Sequence, residues 1–153
     1  MKQREAISIG VGAVVFRGDE VLIVKRGKPP FLGHWSIPGG GLEHGEALKD
    51  AARREVREEA LAQIDIVSML AVYAIPRISQ IQLMYRARLA DPEIGVGPES
   101  LEAGLFRWED IPWPELAFPS VFWALTQDRD APWDRPFAPF TNPEGNPIGP
   151  LRR

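Results

Sequence analysis

The chain contains no cysteine. That absence excludes disulfides, thiolate zinc sites and a cysteine nucleophile, and it suits a reducing compartment. Histidine is nearly as scarce. His34 and His44 are the only two, they lack metal-ligand spacing from each other, and both read as locally bonded or solvated loop residues. No apolar run approaches the roughly 20 residues of a membrane span. The most apolar N-terminal stretch, AISIGVGAVVF, is too short, and its alternating small and β-branched residues suit a buried strand. Basic charge is not in excess either: the net charge of −3 argues against a broad nucleic-acid surface. An acidic balance still admits a phosphorylated substrate, because a bound cation inverts the charge locally. The chain therefore reads as soluble and cytoplasmic, without a membrane or nucleic-acid partner.

What is present is enough for one domain with a real core: 153 residues, 44% of them hydrophobic and 25% charged. Residues 7–16 read as a strand, Gly18-Asp19 as a turn, and residues 21–26 as the returning strand of a hairpin. A Pro/Gly-rich loop, GKPPFLG, leads to WSIPGGG, a short apolar piece stopped by its proline and glycines. Residues 46–60 hold good helix formers without Gly or Pro and are predicted to be helical. Residues 64–75 and 80–89 are strand-like, broken at Pro76, and 101–108 suggests another strand. A second helix is expected after Pro119, carrying Val121, Phe122, Ala124 and Leu125. Strands surrounding a few helices give an α/β or α+β domain with a mixed sheet.

Residues 1–128 are expected to form that domain, and 129–153 a Pro-rich tail. The tail holds Pro132, Pro136, Pro139, Pro143, Pro147 and Pro150, six of the 15 prolines, together with Trp133, Phe137 and Phe140. Those aromatics are expected to anchor it on its own domain or on a partner subunit, which leaves a homodimer open.

The most informative stretch is REVREE, residues 54–59. In a helix, Glu55, Glu58 and Glu59 crowd one turn, at spacings where like charges repel. At roughly 100° per residue, with Leu48 as zero, Arg53, Arg57, Asp50 and Arg54 fall between about 140° and 240° and form a solvated face. Glu58, Glu55 and Glu59 fall near 280°, 340° and 20°, on the side of Ala51 and Ala52. Three carboxylates on a semi-buried side raise one another's pKa or require a cation. Hard oxygen ligands favour Mg²⁺ or Mn²⁺ over zinc or copper. The preceding loop, PGGGLEHGE, has four glycines in nine residues, which lets backbone approach a ligand or metal closely.

The spacing runs Gly40, five residues, Glu46, seven residues, then Arg54-Glu55-Val56-x-Glu58-Glu59. It resembles the signature of the Nudix hydrolases, G-x5-E-x7-R-E-U-x-E-E-x-G-U with U aliphatic, and WSIPGG is similar to that family's usual approach to its box. One fixed position departs, because Leu61 stands where the family has glycine. The resemblance implies an α/β/α sandwich with a mixed sheet and hydrolysis of a nucleoside diphosphate linked to another group. It further implies that Glu55, Glu58 and Glu59 hold Mg²⁺, with Mn²⁺ as a substitute. Arg54 would orient the glutamates, Glu46 would brace the loop, and Gly40 would bring a carbonyl to the metal, with Gly39 beside it at the phosphate seat. A base outside the box is implied too. Counting back from Leu105 points to Glu99, with Glu102 as the other position. Arg26 and Arg77 are candidates for phosphate contacts.

Residues 74–120 are similar, with gaps, to the branch that cleaves ADP-ribose or FAD. Phe31, Trp35, Tyr85 and Phe118 are candidates for stacking a base, although Trp35 looks structural. Two rival readings follow. One is a house-cleaning hydrolase of non-standard nucleoside triphosphates. The other is a module that binds nucleotides without cleaving them, which intact metal glutamates disfavour.

Overall fold

The alternating small and β-branched residues near the N-terminus form β1 (Ser8–Arg17) in the computed structural model, which describes residues 6–145 and 147. The chain turns at Gly18, at φ +61°, into β2 (Glu20–Arg26). The hairpin register sets Phe16 opposite Val21 and Arg17 opposite Glu20. Five more strands join them: β3 (Trp35–Ser36), β4 (Gly39–Gly41), β5 (Ile64–Ile75), β6 (Gln80–Leu89) and β7 (Ser100–Arg107). The sheet order is β3-β2-β1-β6-β5, with β4 also on β1 and β7 also on β2. Only the β1–β6 pairing is parallel among these, so the sheet is mixed.

Two helices cover the two faces. Successive strand residues point to opposite sides, and β1 uses both. Ala13 and Val15 pack with Val56 and Ala60 of α1 (Leu48–Ala60), while Val14 packs with Phe122 and Leu125 of α2 (Pro119–Asp130). The result is the expected α/β/α sandwich. Among the described residues, no helix is long and apolar enough to cross a membrane.

Three local differences from the sequence reading have physical causes. The helix begins at Leu48 rather than at residue 46, because the Glu46 carboxylate is engaged by Arg54 and by the Glu43 N–H (3.2 Å). The glycine run is a strand, not a stop. It pairs Gly39, Gly40 and Gly41 with Gly12, Val11 and Gly10 of β1, and a Cβ at Gly39 would sit 2.8 Å from the Val11 carbonyl oxygen. Arg54 does not belong to the solvated face: its side chain is 13% exposed, while Arg53 and Arg57 are exposed.

Arg86 of β6 is fully buried, at 1% exposure. Its Nε donates to Asp128 Oδ1 (2.6 Å), its Nη2 to the Asp128 carbonyl (3.2 Å) and its Nη1 to the Pro132 carbonyl (2.8 Å). Trp133 lies over the guanidinium, its ring centroid 3.7 Å away. Burial pushes the Asp128 carboxyl up to about 6 against the pull of Arg86. This arginine ties the sheet to α2, which runs on to Asp130, and to the segment after it. Further along, Phe140 forms a parallel bridge to Ala71, and both polar groups of the Asn142 side chain bond the backbone of Ala74. These residues cover the outer edge of β5.

Candidate active site

The geometry starts from Arg54, whose guanidinium has five N–H donors. Nε and Nη2 donate to the two Glu46 carboxylate oxygens (2.7 and 3.0 Å), and Nη2 also donates to the Gly41 carbonyl (2.9 Å). Nη1 donates to Glu55 Oε1 (2.8 Å) and to Glu58 Oε2 (3.3 Å). The arginine is thus fully used, and it fixes the glycine loop to the acidic turn of α1. The Arg54 hydrogen bond holds the Glu46 carboxyl below its ordinary range.

Glu55 lies directly against Gly40. Any Cβ at that position would collide with both of its carboxylate oxygens, so glycine is a condition of the arrangement. Glu59 accepts the Gly39 N–H (3.1 Å). Burial raises the Glu55 carboxyl, with Arg54 opposing. Burial first, and then the charge of Glu55, pushes Glu59 up to about 8. Two partly buried carboxylates that disfavour each other's charge, beside exposed backbone of a glycine strand, form an oxygen-only donor set. That suits a hard divalent cation. Glu58 stands apart: its side chain is 52% exposed and turned toward Arg54. Among the described residues, no three acidic or imidazole groups already converge as a ligand set. Glu55 and Glu59 are brought together, and Glu58 is not in the same cluster.

The C-terminal end of α1 carries a loop on its back. Leu61 takes the left-handed conformation (φ 49°, ψ 35°) at the position where the resemblance expects glycine. Gly95 N–H donates to the Ala60 carbonyl (2.7 Å) and Gly97 N–H to the Glu59 carbonyl (3.0 Å). That loop continues to Glu99, which lines a narrow crevice with Arg26, Lys28, Ser36 and Glu59. Lys28 Nζ donates to Glu99 Oε2 (2.7 Å), and this bond and charge hold the carboxyl below its ordinary range. Glu102 lies on β7 opposite Lys25, 3.6 Å from its ammonium, and is not part of the crevice wall.

Next to the crevice is a cavity of about 200 Å³ whose wall includes Arg26, Gly40, Ile78, Gln80, Gln82 and Phe118. Arg26 belongs to both spaces. Its Nε donates to the Pro30 carbonyl (2.8 Å), and its guanidinium lies 5.1 Å from the Phe118 ring centre. Arg77 is exposed on the 3-10 turn Pro76–Ile78 and lies outside both walls, while its neighbour Ile78 lines the cavity. Of the aromatic candidates, Phe118 lines the cavity and Phe31 packs edge-on against it at 5.2 Å. Trp35 packs on Phe106, and Tyr85 is buried under α1, so both are core.

Lys28, Gly97 and the Gln80–Gln82 pair went unnoticed in the sequence. Lys28 had only its neighbour Arg26 to suggest it. The glutamines did carry a signal, since polar residues at i and i+2 on an inward strand face break the expected alternation.

Comparison with known proteins agrees with this geometry. A family model described as the NUDIX domain matches residues 7–126. An ADP-ribose pyrophosphatase from Methanocaldococcus jannaschii is 30% identical over 115 residues, covering 72% of this chain and 67% of that protein. An 8-oxo-dGDP phosphatase from Mus musculus is 35% identical over 103 residues, covering 63% of this chain but 31% of that protein, so this chain spans under a third of it. The crystal structure of a NUDIX hydrolase from Nitrosomonas europaea aligns with a TM-score of 0.82 at 33% identity, covering 91% of this chain and 80% of that one. With the domain matched over most of its length, and the glycine strand and acidic helix in place, the chain belongs to the Nudix hydrolases.

Proposed function

We propose that the chain cleaves the diphosphate of a nucleoside diphosphate derivative such as ADP-ribose or FAD, giving AMP and a phosphorylated remainder. Nudix hydrolases act on small nucleotide substrates and generally use divalent metals. The observation that carries the reading is the seat of Glu55 on Gly40 and of Glu59 on the Gly39 N–H, at the edge of a cavity large enough for part of a nucleotide. The archaeal relative's name supports ADP-ribose as the first substrate to test.

In this reading Glu55, Glu58, Glu59 and the Gly40 carbonyl would hold Mg²⁺, or Mn²⁺ in its place. When bound, the ion supplies neutralisation of the diphosphate and Lewis acidity at phosphorus. Arg54, braced by Glu46, keeps the carboxylates in position. Glu99 stays ionised at neutral pH and takes a proton from the attacking water. Water oxygen bonds to one phosphorus, the P–O–P bridge breaks, and the bridging oxygen leaves with the other phosphate. Arg26 and Lys28 offset the charge of the phosphates. The absence of cysteine fits a cytoplasmic site of action. A homodimer is part of the same proposal, and the β5 edge near Ala71 and Ala74 is occupied by Phe140 and Asn142 of the same chain.

A second reading, hydrolysis of oxidised or non-standard nucleotides, is supported by the name of the mouse relative. One panel separates the two. ADP-ribose, FAD, NADH, diadenosine polyphosphates and dNTPs are incubated with Mg²⁺ or Mn²⁺, and AMP, nucleoside monophosphate and pyrophosphate are measured. AMP release from ADP-ribose or FAD is the expected result. Activity confined to dNTPs, with pyrophosphate released, would replace the first reading by the second.

A further inference from the structure

On the side of the sheet that faces α1, three strands line up apolar residues in two rungs. Ile9 of β1 stands opposite Ile81 of β6, which stands opposite Ala74 of β5. The next rung is Val11, Leu83 and Val72. Ile7, one residue before β1, extends the same alternation. α1 starts at Leu48 and covers Val11 and Tyr85 through Ala51 and Ala52. Ile9, Val72, Ala74, Ile81 and Leu83 pack into none of the hydrophobic clusters of the described residues. Ile7 is 67% exposed and Ile9 38%, Ala74 is exposed, and Val72, Ile81 and Leu83 are half-buried. The intervening rungs, Ser8–Gln80–Ile75 and Gly10–Gln82–Tyr73, point to the α2 side. A solvated sheet face carries polar residues outward and apolar ones toward the core. Here that polarity is reversed, with the glutamines inside and the isoleucines outside.

We propose that this face is a homodimer interface, buried by the same face of a second copy of the chain. The inference rests on the homodimer included in the functional reading, gives it a location, and holds whichever substrate is cleaved. The outer edge of β5 is bonded by Phe140 and Asn142, so a partner strand has no free backbone to extend the sheet between Ala71 and Ala74. The described tail leaves the face open as well. After Asn142 it returns to α2, where the Pro147 carbonyl accepts the Trp123 indole N–H (2.6 Å). Residues 1–5, Met-Lys-Gln-Arg-Glu, bring a single apolar side chain, that of Met1. A second copy supplies what the chain itself does not. The rungs carry no charged residue, so the face meets its own two-fold image without an ionic mismatch, as an isologous contact requires. With strands about 4.8 Å apart and same-face residues about 6.7 Å apart, the patch spans roughly 15 by 15 Å. That is the apolar centre of an interface. Exposed residues stand at its margins for a polar rim: Glu43 and His44 follow Leu42, whose N–H bonds the Ile9 carbonyl, and Arg77 precedes Ser79, whose carbonyl accepts the Ser8 N–H. A standard interface buries about 800 Å² per partner, so a centre this small predicts a dimer that dissociates in the micromolar range.

Sedimentation velocity on the full chain, from about 1 to about 200 µM, brackets that range. The measurement needs no substrate, so it stands even if the hydrolase reading fails. The mass should rise with concentration from the 17.1 kDa of one chain toward twice that value. Ile7→Glu and Ile9→Glu set like charges against each other in the contact, and each should raise the dissociation constant about tenfold or more. Ile7 precedes β1 and is open to water in the single chain, so the melting curve of Ile7→Glu at the dilute end should match that of the unaltered protein. Leu101→Glu makes the same change at a 53% exposed apolar residue of β7 and should leave the assembly as it is. Three results would overturn the proposal: a single-chain mass at every concentration, a dimer that both isoleucine variants leave intact, or equal weakening by Leu101→Glu. A lower dilute-end Tm in Ile7→Glu would overturn it too, by showing that a segment of the same chain covers the face.

Discussion

Gly97 packs its α-carbon directly onto the carbonyl oxygen of Glu58 while its own N–H donates to the Glu59 carbonyl at 3.0 Å. A loop is thereby clamped on the helix turn that carries two of the candidate ligands, and Glu99 follows two residues later. Any side chain at residue 97 would overlap main chain rather than a flexible group, so the loop or the helix end must move. Gly97→Ala is expected to lower kcat by about a hundredfold, the scale of loss from an ångström-sized misplacement in an active site. Turnover of ADP-ribose checks it, with a melting curve to show that the domain still folds. Unchanged kcat would dissociate the loop from catalysis.

Leu61 offers the opposite experiment. It is 57% exposed and holds a left-handed conformation that costs a non-glycine residue roughly 1–2 kcal/mol. Glycine at this position loses more backbone entropy on folding, which takes back part of the gain. Leu61→Gly should therefore stabilise the domain by about 0.5–1 kcal/mol, a rise in Tm of roughly 1–4 °C for a chain of this size. Activity should not change. A lower Tm would mean that the contact of the Leu61 side chain with Gly95 matters more than the strain.

The sandwich was legible because its strands and helices follow simple periodicities, and because one stretch fixed by spacing placed the acidic turn next to the glycines. What the sequence hid came from the third dimension. The angular estimate put Arg54 among solvated arginines, but Glu46, Glu55, Glu58 and the Gly41 carbonyl together consume every donor. The same estimate put Glu58 inward, whereas its side chain is half exposed. Arg77 looked like a phosphate ligand by position alone, and the turn at Pro76 points the chain so that Ile78 lines the cavity. Arg86 gave no signal, since a basic residue in a strand reads as an outward one until a partner such as Asp128 is known.

That buried pair makes its own prediction. Arg86→Met keeps the volume of the side chain but leaves the Asp128 carboxyl buried without its cation, and removes the group on which Trp133 stacks. Breaking a buried pair from one side typically costs about 3–5 kcal/mol. A loss of that size in urea unfolding is expected. The double variant Arg86→Met, Asp128→Leu should recover much of it, since no uncompensated charge then remains. A single-variant loss below about 1 kcal/mol, as for a surface pair, would show that water reaches the site.

The two candidate bases separate by position. Glu99 lies in the crevice with Glu59, and Lys28 keeps it ionised and ready to accept a proton. Glu102 sits on β7 across from Lys25, outside that wall. Replacing a general base with its amide preserves shape and removes proton acceptance, so Glu99→Gln should cost about 10²–10⁴ in kcat. Glu102→Gln should cost little. Lys28→Met gives an independent reading of the same arrangement. It removes a phosphate contact and the restraint on Glu99 together, so KM should rise while kcat falls less than in Glu99→Gln. If Glu102→Gln instead lost the activity and Glu99→Gln kept it, the base would belong to β7, and the Lys28–Glu99 bridge would be only a clasp between two loops.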